Sequence, residues 1–372
     1  MTIRIVLAAL VMLEIVPTRS EAQQYVYTNE NLYQQTNTTT ALRVGPQGQL
    51  KKIHRYSTGG MGTGSQSPGQ AMIVAARVAS GYCLFVANGG SDNIAGFSIK
   101  MTDGSLTAAP GSPYASGGGT PGNLALALGP SHLLLAGDSQ TIRLLRVKSD
   151  CSLTAPLSSY PVLGPLELKV TPNGKFLIAT AFGPVETFAV DGQNATMTDL
   201  GTTFALGSTL GVDITCDSTT IYFGDAATLI EIEVFGIDSA GALTELNNFN
   251  DTHGEDSSSV FLSQDENTLY VGNNISGQIT AYTVGVGGSL TWGSTTTLNG
   301  SIFTLLDLAL SGNGKFLFAE EQFNPEAIGV VQVNGTAVTE VPGSPFAISN
   351  NPFDPGSIVA VPGATCRSGQ AY

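Results

Sequence analysis

The sequence repeats a unit of short β-rich runs, and this repetition constrains the fold more than any other feature. Residues 267–314 show the unit most clearly, with runs at 268–271 and 278–284, a threonine-rich third run and an apolar run at 305–310. Four such runs separated by Gly, Asn and Ser clusters predict a four-stranded antiparallel sheet. A sheet of this kind cannot bury both of its faces alone, so it needs copies of itself as neighbours.

Copies of the unit follow one another along the chain, spaced by 44 to 57 residues. The units start at Tyr25, Tyr82, Ser131, Lys175, Thr219, Asn267 and Lys315. A period of about 40–50 residues with four strands in each period is the signature of a β-propeller. The sequence therefore predicts an all-β fold: a seven-bladed β-propeller with four-stranded antiparallel blades, forming a single domain over residues 23–372.

Apolar runs between the units predict the innermost strand of each blade. Six of these runs precede units, at 71–76, 122–128, 166–170, 211–215, 258–262 and 305–310. The seventh run, Ser357–Val361, follows the last unit, whereas the unit at Tyr25 has no run before it. We therefore expect a composite blade in which Ser357–Val361 is the inner strand and residues 25–57 supply three outer strands. This closure leaves no open sheet edge.

The first 22 residues have the pattern of a secretory signal peptide. One Arg precedes an apolar stretch from Ile5 to Val16, and Ser20-Glu21-Ala22 fits a small-x-small cleavage site. The stretch is interrupted by Glu14 and falls short of the ~20 apolar residues that span a bilayer. A helical cap on the propeller is the alternative. We expect a secreted protein, extracellular or periplasmic, without a membrane span.

Charge limits the partners that such a protein can bind. The net charge of −14 argues against nucleic acid and anionic membranes, because both require clustered Lys and Arg. Lys51, Lys52 and Arg55 form a small basic cluster, which we interpret as protective charge on an outer edge strand. A monomer is expected.

Cysteines and glycosylation motifs leave alternatives open. Cys83, Cys151, Cys216 and Cys366 have no metal-like spacing, and four cysteines allow three pairings. They form either disulfides, including one from Cys366 that would pin the ring seam, or buried free thiols. Six Asn-x-Ser/Thr motifs, all assigned to turns or loops, would make the chain a glycoprotein in a eukaryotic host. They lie at Asn37, Asn194, Asn250, Asn274, Asn299 and Asn334.

Several segments resemble the lactonase-type seven-bladed β-propeller family. They include YVYTNEN, TALRVGPQGQL, CLFVANGGSDNIAGFSI and VPGSPF, and the resemblance covers about residues 25–362. That family takes in 6-phosphogluconolactonase-like and carboxymuconate-lactonizing-like proteins and is related to the Tyr-Val-Thr-Asn repeat proteins of cell surfaces. The resemblance implies a propeller and a lactone substrate. The carboxymuconate branch is reported to use a His, a Glu and two Arg at the channel mouth, a quartet with no position-by-position match here.

Loops at the ends of the second strands, and loops leading into the inner strands, should gather at one mouth of the central channel. Ligand sites are expected in such a concavity. The predicted ligand-binding residues are Glu30, Asn88, Asp138, Asp225 and Asn273.

Opening a lactone needs a base to deliver water and a cationic or hydrogen-bonding group for the oxyanion. Arg143 is the arginine expected nearest the mouth, and His253 beside Glu255 forms either an acid/base pair or part of a solvated acidic loop. Glu320 and Glu321 end a strand where other units carry small or amide residues, so they are either mouth carboxylates or a solvent-facing strand end. The catalytic candidates are therefore Glu320, Glu321, His253 and Arg143.

No cofactor or metal is predicted. The acidic segment 251–256 lacks EF-hand spacing, and the glycine-rich stretches lack the Lys and the strand-to-helix context of a phosphate loop. Two functions from different classes remain. One is an exported lactonase acting on a sugar or muconate lactone, and the other is a non-catalytic extracellular propeller that binds a glycan or protein through its polar face.

Overall fold

A computed structural model describes residues 23–64, 71–127, 132–205, 207–226, 231–250, 253–299, 305–321, 327–348 and 356–364. These residues form seven antiparallel sheets arranged as the blades of a propeller. Two single-turn 3₁₀ helices interrupt them, at Gly89–Ser91 and Val286–Gly288. The all-β, seven-bladed prediction is confirmed.

The strands follow one another from the channel outwards in six of the seven blades. The chain starts with three outer strands of the closing blade: β1 (Tyr25–Asn29), β2 (Thr36–Val44) and β3 (Leu50–Met61). Blade 1 contains β4 (Ile73–Val78), β5 (Gly81–Asn88), β6 (Asn93–Lys100) and β7 (Ser105–Ala108), with β8 (Tyr114–Ala115) pairing with β6. Blade 2 contains β9 (Asn123–Ala127), β10 (Leu133–Gly137), β11 (Thr141–Arg146) and β12 (Ser158–Pro161). Blade 3 contains β13 (Glu167–Val170), β14 (Phe176–Thr180), β15 (Pro184–Asp191) and β16 (Thr196–Phe204).

The second half of the ring repeats the same order. Blade 4 contains β17 (Ser208–Ile214), β18 (Thr220–Ala226), β19 (Ile232–Ile237) and β20 (Leu243–Phe249). Blade 5 contains β21 (Ser257–Leu262), β22 (Thr268–Asn273), β23 (Gln278–Val284) and β24 (Leu290–Thr297). Blade 6 contains β25 (Leu305–Leu310), β26 (Phe316–Glu321), β27 (Ala327–Asn334) and β28 (Ala337–Glu340), with β29 (Phe346–Ala347) pairing with β27. The last strand is β30 (Ser357–Val361).

The ring closes in the predicted composite blade. Strand β30 pairs antiparallel with β1 from Tyr25 opposite Val361 to Asn29 opposite Ser357, which makes β30 the inner strand of the closing blade. Each inner strand also packs against the inner strands of its neighbours around the channel. The closure prediction is therefore confirmed residue by residue.

The hydrophobic core lies between adjacent blades, because each blade packs its two sheet faces against its neighbours. Second strands are covered on both faces, so β10 and β14 are buried along their whole length and read as continuous apolar runs. Outermost strands face solvent on one side, and β24 is accordingly rich in Thr and Ser. The gradient from apolar to polar along each unit thus records the distance of a strand from the channel.

One disulfide joins neighbouring blades. Cys83 on β5 is bonded to Cys151 in the hairpin turn after β11, and the two Cα atoms are 5.3 Å apart. Cys216 is disulfide-bonded as well. These bonds decide the alternative left open by the sequence in favour of disulfides at the three positions. The predicted seam bridge from Cys366 falls outside the described residues.

Two further predictions can be compared with the described residues, and a third cannot. Asn37 lies within β2 and is fully buried, so the assignment of its glycosylation motif to an exposed turn was wrong. No helix in the described ranges is long and apolar enough to cross a bilayer. The predicted signal peptide, residues 1–22, lies outside the described part of the chain.

Candidate active site in the central channel

The second strand of every blade carries a buried polar residue at its end or within one residue of it, and the seven residues form what we call the polar ring. They are Asn29, Asn88, Asp138, Thr180, Asp225, Asn273 and Glu320, each at most 6% exposed. All lie on the propeller face where the chain leads into the inner strands. Four of them, Asn88, Asp138, Asp225 and Asn273, are predicted ligand-binding residues, and Glu320 is a predicted catalytic residue.

Side chains of the polar ring hydrogen-bond to the backbone and to side chains of neighbouring turns. Asn29 donates from Nδ2 to the carbonyl of Ala87 at 3.0 Å, and so ties the closing blade to blade 1. Asn273 donates to Thr280 Oγ1 at 2.9 Å and accepts from Ser257 Oγ at 3.1 Å. These bonds satisfy buried polar groups where the chain turns between strands.

Asn88 has a similar role. Its Oδ1 accepts hydrogen bonds from Thr58 and from Asn37, at 2.7 and 2.9 Å, and its Nδ2 donates to Asn93 at 2.7 Å. The amide is therefore bonded at both ends. Its interaction partners belong to the closing blade and to blade 1, so this residue joins two blades.

Glycines in the loops leading into the inner strands allow the chain to pass close to the polar ring. A Cβ on Gly119 would lie 2.1 Å from Asp138 Oδ2, and a Cβ on Gly207 would lie 2.1 Å from Asp225 Oδ2. Both distances are far below van der Waals contact, so only glycine fits. The carboxylates of Asp138 and Asp225 are thus covered by backbone.

Three predicted site residues take part in salt bridges within their own blades. Glu30, which follows β1, is fully buried, pairs with Arg55 on β3 and accepts a hydrogen bond from Thr38 Oγ1 at 2.6 Å. Arg143 on β11 pairs with Asp138, whose carboxylate also accepts from the Thr141 backbone N–H at 2.8 Å. Burial opposes ionisation of Asp138, but the hydrogen bonds from Arg143 and the turn hold its pKa below the usual range.

The remaining catalytic candidates are separated in space. His253 stacks on the exposed Trp292 of outermost strand β24, with ring centroids 4.5 Å apart. Glu320 Oε1 accepts from the backbone N–H of Gly356 at 3.1 Å, just before β30. The side chain of Glu321 is outside the described part. The structure therefore does not bring His253 together with Glu320, and a catalytic role for any of these residues stays a prediction.

One concavity among the described residues with room for a ligand is the channel itself. A cavity of about 240 Å³ is enclosed by the inner strands of all seven blades. Much of its wall is apolar, formed by side chains such as Ile73, Leu124, Phe261 and Val359. Among its described lining residues, none belongs to the nine predicted from sequence.

Three residues of a charged cluster line this cavity, and a fourth, Asp213, is buried behind its wall and paired with one of them. Lys169 on β13 forms an ion pair with Asp213 on β17, with Nζ 3.1 Å from Oδ1. Its ammonium group also lies 5.8 Å from the ring centroid of Phe261, within range of a cation–π interaction. Glu167 and Asp307 line the same cavity and interact electrostatically with Lys169. We call Glu167, Lys169, Asp213 and Asp307 the channel cluster.

The three carboxylates of the channel cluster also join adjacent inner strands. Glu167 Oε2 accepts from the Val212 N–H at 2.9 Å, and Asp213 Oδ2 accepts from the Leu262 N–H at 2.7 Å. Asp307 Oδ2 accepts from the Ile358 N–H at 3.0 Å. An inner strand has a free edge towards the channel, so its N–H groups need acceptors from outside the sheet. A carboxylate from the preceding blade supplies one.

Burial gives these groups unusual acidities. Burial raises the pKa of Glu167 to about 8, with Lys169 opposing the rise and Asp307 adding to it. Burial likewise raises the pKa of Asp307 to about 6, against hydrogen bonds from Ser357 and the backbone. Burial alone would lower the pKa of Lys169, but the surrounding carboxylates raise it overall. These shifts favour the acid form of Glu167 over that of Asp307 near neutral pH, beside a cationic Lys169.

The sequence contained a signal for this cluster that the prediction did not use. Glu167, Lys169, Asp213 and Asp307 all fall within runs 166–170, 211–215 and 305–310, which were interpreted as apolar inner strands. A charged side chain inside a buried strand is costly unless it is paired, and so indicates a specific role. The prediction instead selected polar residues near strand ends, where such residues are common, and five of them belong to the polar ring.

Metal binding finds no support in the described ranges, where no three His, Cys, Asp or Glu side chains are arranged to hold an ion. Residues 251–252 of the acidic segment considered for Ca²⁺ lie outside the described part.

Comparison with known proteins agrees with the fold. A family model described as "Lactonase, 7-bladed beta-propeller" matches residues 177–301, about a third of the chain. No curated relative matches the sequence. The resemblance to lactonase-type seven-bladed propellers stated from the sequence is confirmed.

Solved structures give the same result at low sequence identity. A candidate 6-phosphogluconolactonase from Bacteroides fragilis has a TM-score of 0.72 and 14% identity, covering 92% of this chain and 99% of that one. A similar protein from Bacteroides uniformis has a TM-score of 0.73 and 14% identity, with 91% and 100% covered. A periplasmic gluconolactonase from Pseudomonas aeruginosa has a TM-score of 0.69 and 15% identity, with 88% and 98% covered. These similarities establish the shared fold.

Proposed function

We propose that this chain hydrolyses a lactone, of the sugar or muconate type, inside the central channel. The observation that carries the proposal is the pair of carboxyl groups with separated pKa values, Glu167 and Asp307, beside Lys169 in one cavity. Two titratable groups whose environments push their pKa values apart are typical of an acid and a base in catalysis. The match to a lactonase family model and the printed names of the structural neighbours support a lactone as the substrate.

Three residues of the channel cluster have distinct roles in the proposed reaction. The Asp307 carboxylate takes a proton from water, whose oxygen forms a bond to the carbonyl carbon of the lactone. The Lys169 ammonium stabilises the negative charge that develops on the carbonyl oxygen. When the ring C–O bond breaks, Glu167 in its acid form protonates the leaving oxygen. Exchange with solvent then removes the proton from Asp307 and restores the one on Glu167.

Accessibility is consistent with these roles. The side chain of Lys169 is 24% exposed, and that of its partner Asp213 is fully buried. Asp307 is half-buried, whereas Glu167 is only 8% exposed. Asp307 and Lys169 can therefore meet water and substrate from the cavity, and the more enclosed Glu167 keeps its proton.

The test is a lactone-hydrolysis assay on the purified protein and matched variants. Acid release from D-glucono-δ-lactone and from a muconolactone would be followed at pH 7 and corrected for spontaneous hydrolysis. Asp307→Asn and Glu167→Gln keep the acceptors for the inter-blade hydrogen bonds and should each lower the rate by ~10²–10⁴. Asp238→Asn, at an exposed turn of blade 4, is the matched control and should leave the rate unchanged.

The same assay separates the channel from the sites predicted by sequence. Glu320→Gln, Glu321→Gln and His253→Gln should leave the rate within about twofold if the channel cluster is catalytic. Loss of activity in one of these three, with normal rates for the channel variants, would move the site to the propeller face. Absence of any turnover by the wild type would contradict hydrolysis and favour a binding propeller.

We also propose that the chain is exported. The disulfide between Cys83 and Cys151 supports this location, since such bonds persist in oxidising compartments and are rare in the cytosol. Fractionation of a host that expresses the full chain, with mass measurement of the mature N-terminus, tests the proposal. Retention in the cytosol with reduced thiols would contradict it.

A further inference from the structure

The charges in the channel favour one class of lactone over others. The cluster holds three carboxyl groups, Glu167, Asp213 and Asp307, around one ammonium group, that of Lys169. Lys169 is already paired with Asp213 at 3.1 Å, so its single positive charge can stabilise the charge that develops on a carbonyl oxygen but cannot also neutralise a full anionic substituent. A phosphate or carboxylate of a ligand placed beside it would meet the ionised Asp307 at close range.

The rest of the wall offers little compensation for a second negative charge. Among the described lining residues the other cation is Arg77, which is exposed and lies one residue before the end of β4. Glu167 is the first residue of β13, at the opposite end of the inner strands, because all inner strands enter from the same face of the propeller. Between these ends stand apolar side chains, and an unpaired charge against an apolar wall is strongly disfavoured.

The size of the cavity limits the ligand as well. Its volume of about 240 Å³ lies below the ~300–1,000 Å³ typical of pockets for drug-sized ligands. A single five- or six-membered ring with small substituents fits such a space. A bulky charged substituent would have to fit into the channel together with the water molecules that hydrate it, and this requires more room.

We infer that the channel takes an uncharged monocyclic lactone and rejects phosphorylated and carboxylated ones; this inference rests on the proposed function. Like-charge juxtaposition in a site of low dielectric is among the strongest sources of discrimination between ligands. The neutral ligand should therefore be preferred by roughly 100-fold or more over its phosphorylated counterpart. Of the two substrate types proposed above, this selects the neutral sugar lactone over the anionic muconolactone.

The experiment combines turnover with binding of analogues that cannot be hydrolysed. Rates would be compared for D-glucono-δ-lactone and its 6-phosphate, and calorimetry would measure binding of the corresponding lactam and lactam 6-phosphate at pH 7. We expect the neutral lactam to bind and its phosphate to bind roughly 100-fold more weakly or not at all. The ratio of the two affinities should change little between low and high salt, because charges inside the cavity are screened much less than exposed ones.

The outcomes distinguish the two proposals. Selective binding of the neutral lactam supports the charge inference even if no lactone is turned over, in which case the hydrolase proposal alone fails. Turnover of both lactones at similar rates supports hydrolysis and overturns the inference. Equal or tighter binding of the phosphorylated lactam, or binding of neither lactam, also overturns it.

Discussion

Lys169 provides the sharpest test of the electrostatics of the channel. The substitution Lys169→Met keeps an unbranched side chain as far as Cε and removes the single ammonium group that three carboxyl groups share. Coulomb's law gives about 5 kcal/mol for unit charges at the observed 3.1 Å when the effective dielectric constant is about 20. Loss of one partner of a buried ion pair costs about 3–5 kcal/mol in measured cases. We therefore expect Lys169→Met to lower the free energy of unfolding by about 3–5 kcal/mol at pH 8.5.

This loss should depend on pH in a defined direction. Glu167 and Asp307 have raised pKa values in the folded state, about 8 and about 6, so the folded protein holds protons that the unfolded chain releases. Their contribution to stability is present at low pH and is lost as the pH rises through those values. At pH 5 both groups are protonated, and only Asp213 loses a counter-ion in the variant. The destabilisation should therefore be clearly smaller at pH 5 than at pH 8.5.

Urea unfolding followed by tryptophan fluorescence at both pH values measures the effect. Lys175→Met, at an exposed turn of the same blade, is the matched control and should change stability by less than about 0.5 kcal/mol at either pH. A destabilisation by Lys169→Met that equals that of the control, or that grows on acidification, would refute the electrostatic reasoning.

Two further predictions concern the carboxyl groups of the channel cluster, one concerns the disulfide, and one concerns the closing blade. Activity of the wild type should have a bell-shaped pH profile that rises through about pH 6 and falls above about pH 8, as Asp307 loses its proton and then Glu167 does; a flat profile between pH 5 and 9 contradicts these roles. Glu167→Gln should be more stable than the wild type above pH 8 and equal to it near pH 5 in urea titrations, since it removes a buried charge; the reverse order would contradict the raised pKa. Replacing Cys83 and Cys151 by Ala should lower the unfolding free energy by about 4 kcal/mol, because the bond closes a loop with a sequence separation of 68, and unchanged stability would show that the blades hold without it. Deleting residues 356–372 should abolish soluble protein, because the closing blade loses β30; normal yield with a sharp melting transition would contradict the closure scheme.

The fold could be predicted from the sequence because each blade repeats the same pattern of apolar and polar strands. Each unit contains an apolar inner run, a buried second strand and a polar outer strand. The same pattern could therefore be recognised seven times along the chain. The spare run at Ser357–Val361 then required a partner, and the unit at Tyr25 lacked one. The observed pairing of these two segments needed no information beyond that count.

The candidate site was harder to predict because structural hydrogen bonds of buried side chains and contacts to a ligand use the same residue types. Asn88, Asp138 and Asn273 end second strands, and the turns there contain backbone groups that need acceptors and donors. Polar side chains at such positions are required by the turn, whether or not a ligand binds. Sequence alone does not distinguish these two requirements.

Contacts between residues of different blades could not be predicted from the sequence either. Lys169 and Asp213 lie on different blades, and Cys83 and Cys151 likewise join two blades. Which inner-strand position of one blade faces which position of the next depends on the twist and stagger of the sheets. A single sequence records the residues but not that stagger.

The composite blade has a consequence for the order in which the protein is made. Strands β1, β2 and β3 are synthesised before the other six blades, whereas β30, which completes their sheet, is synthesised after those blades. Until then β1 exposes a row of unpaired N–H and C=O groups, an edge to which other chains can add a strand. The nascent chain must keep this edge from wrong partners while six blades are translated. In the complete ring, Tyr25, Val26 and Tyr27 are fully buried. In the nascent chain they stay accessible on this unpaired edge until β30 pairs with β1.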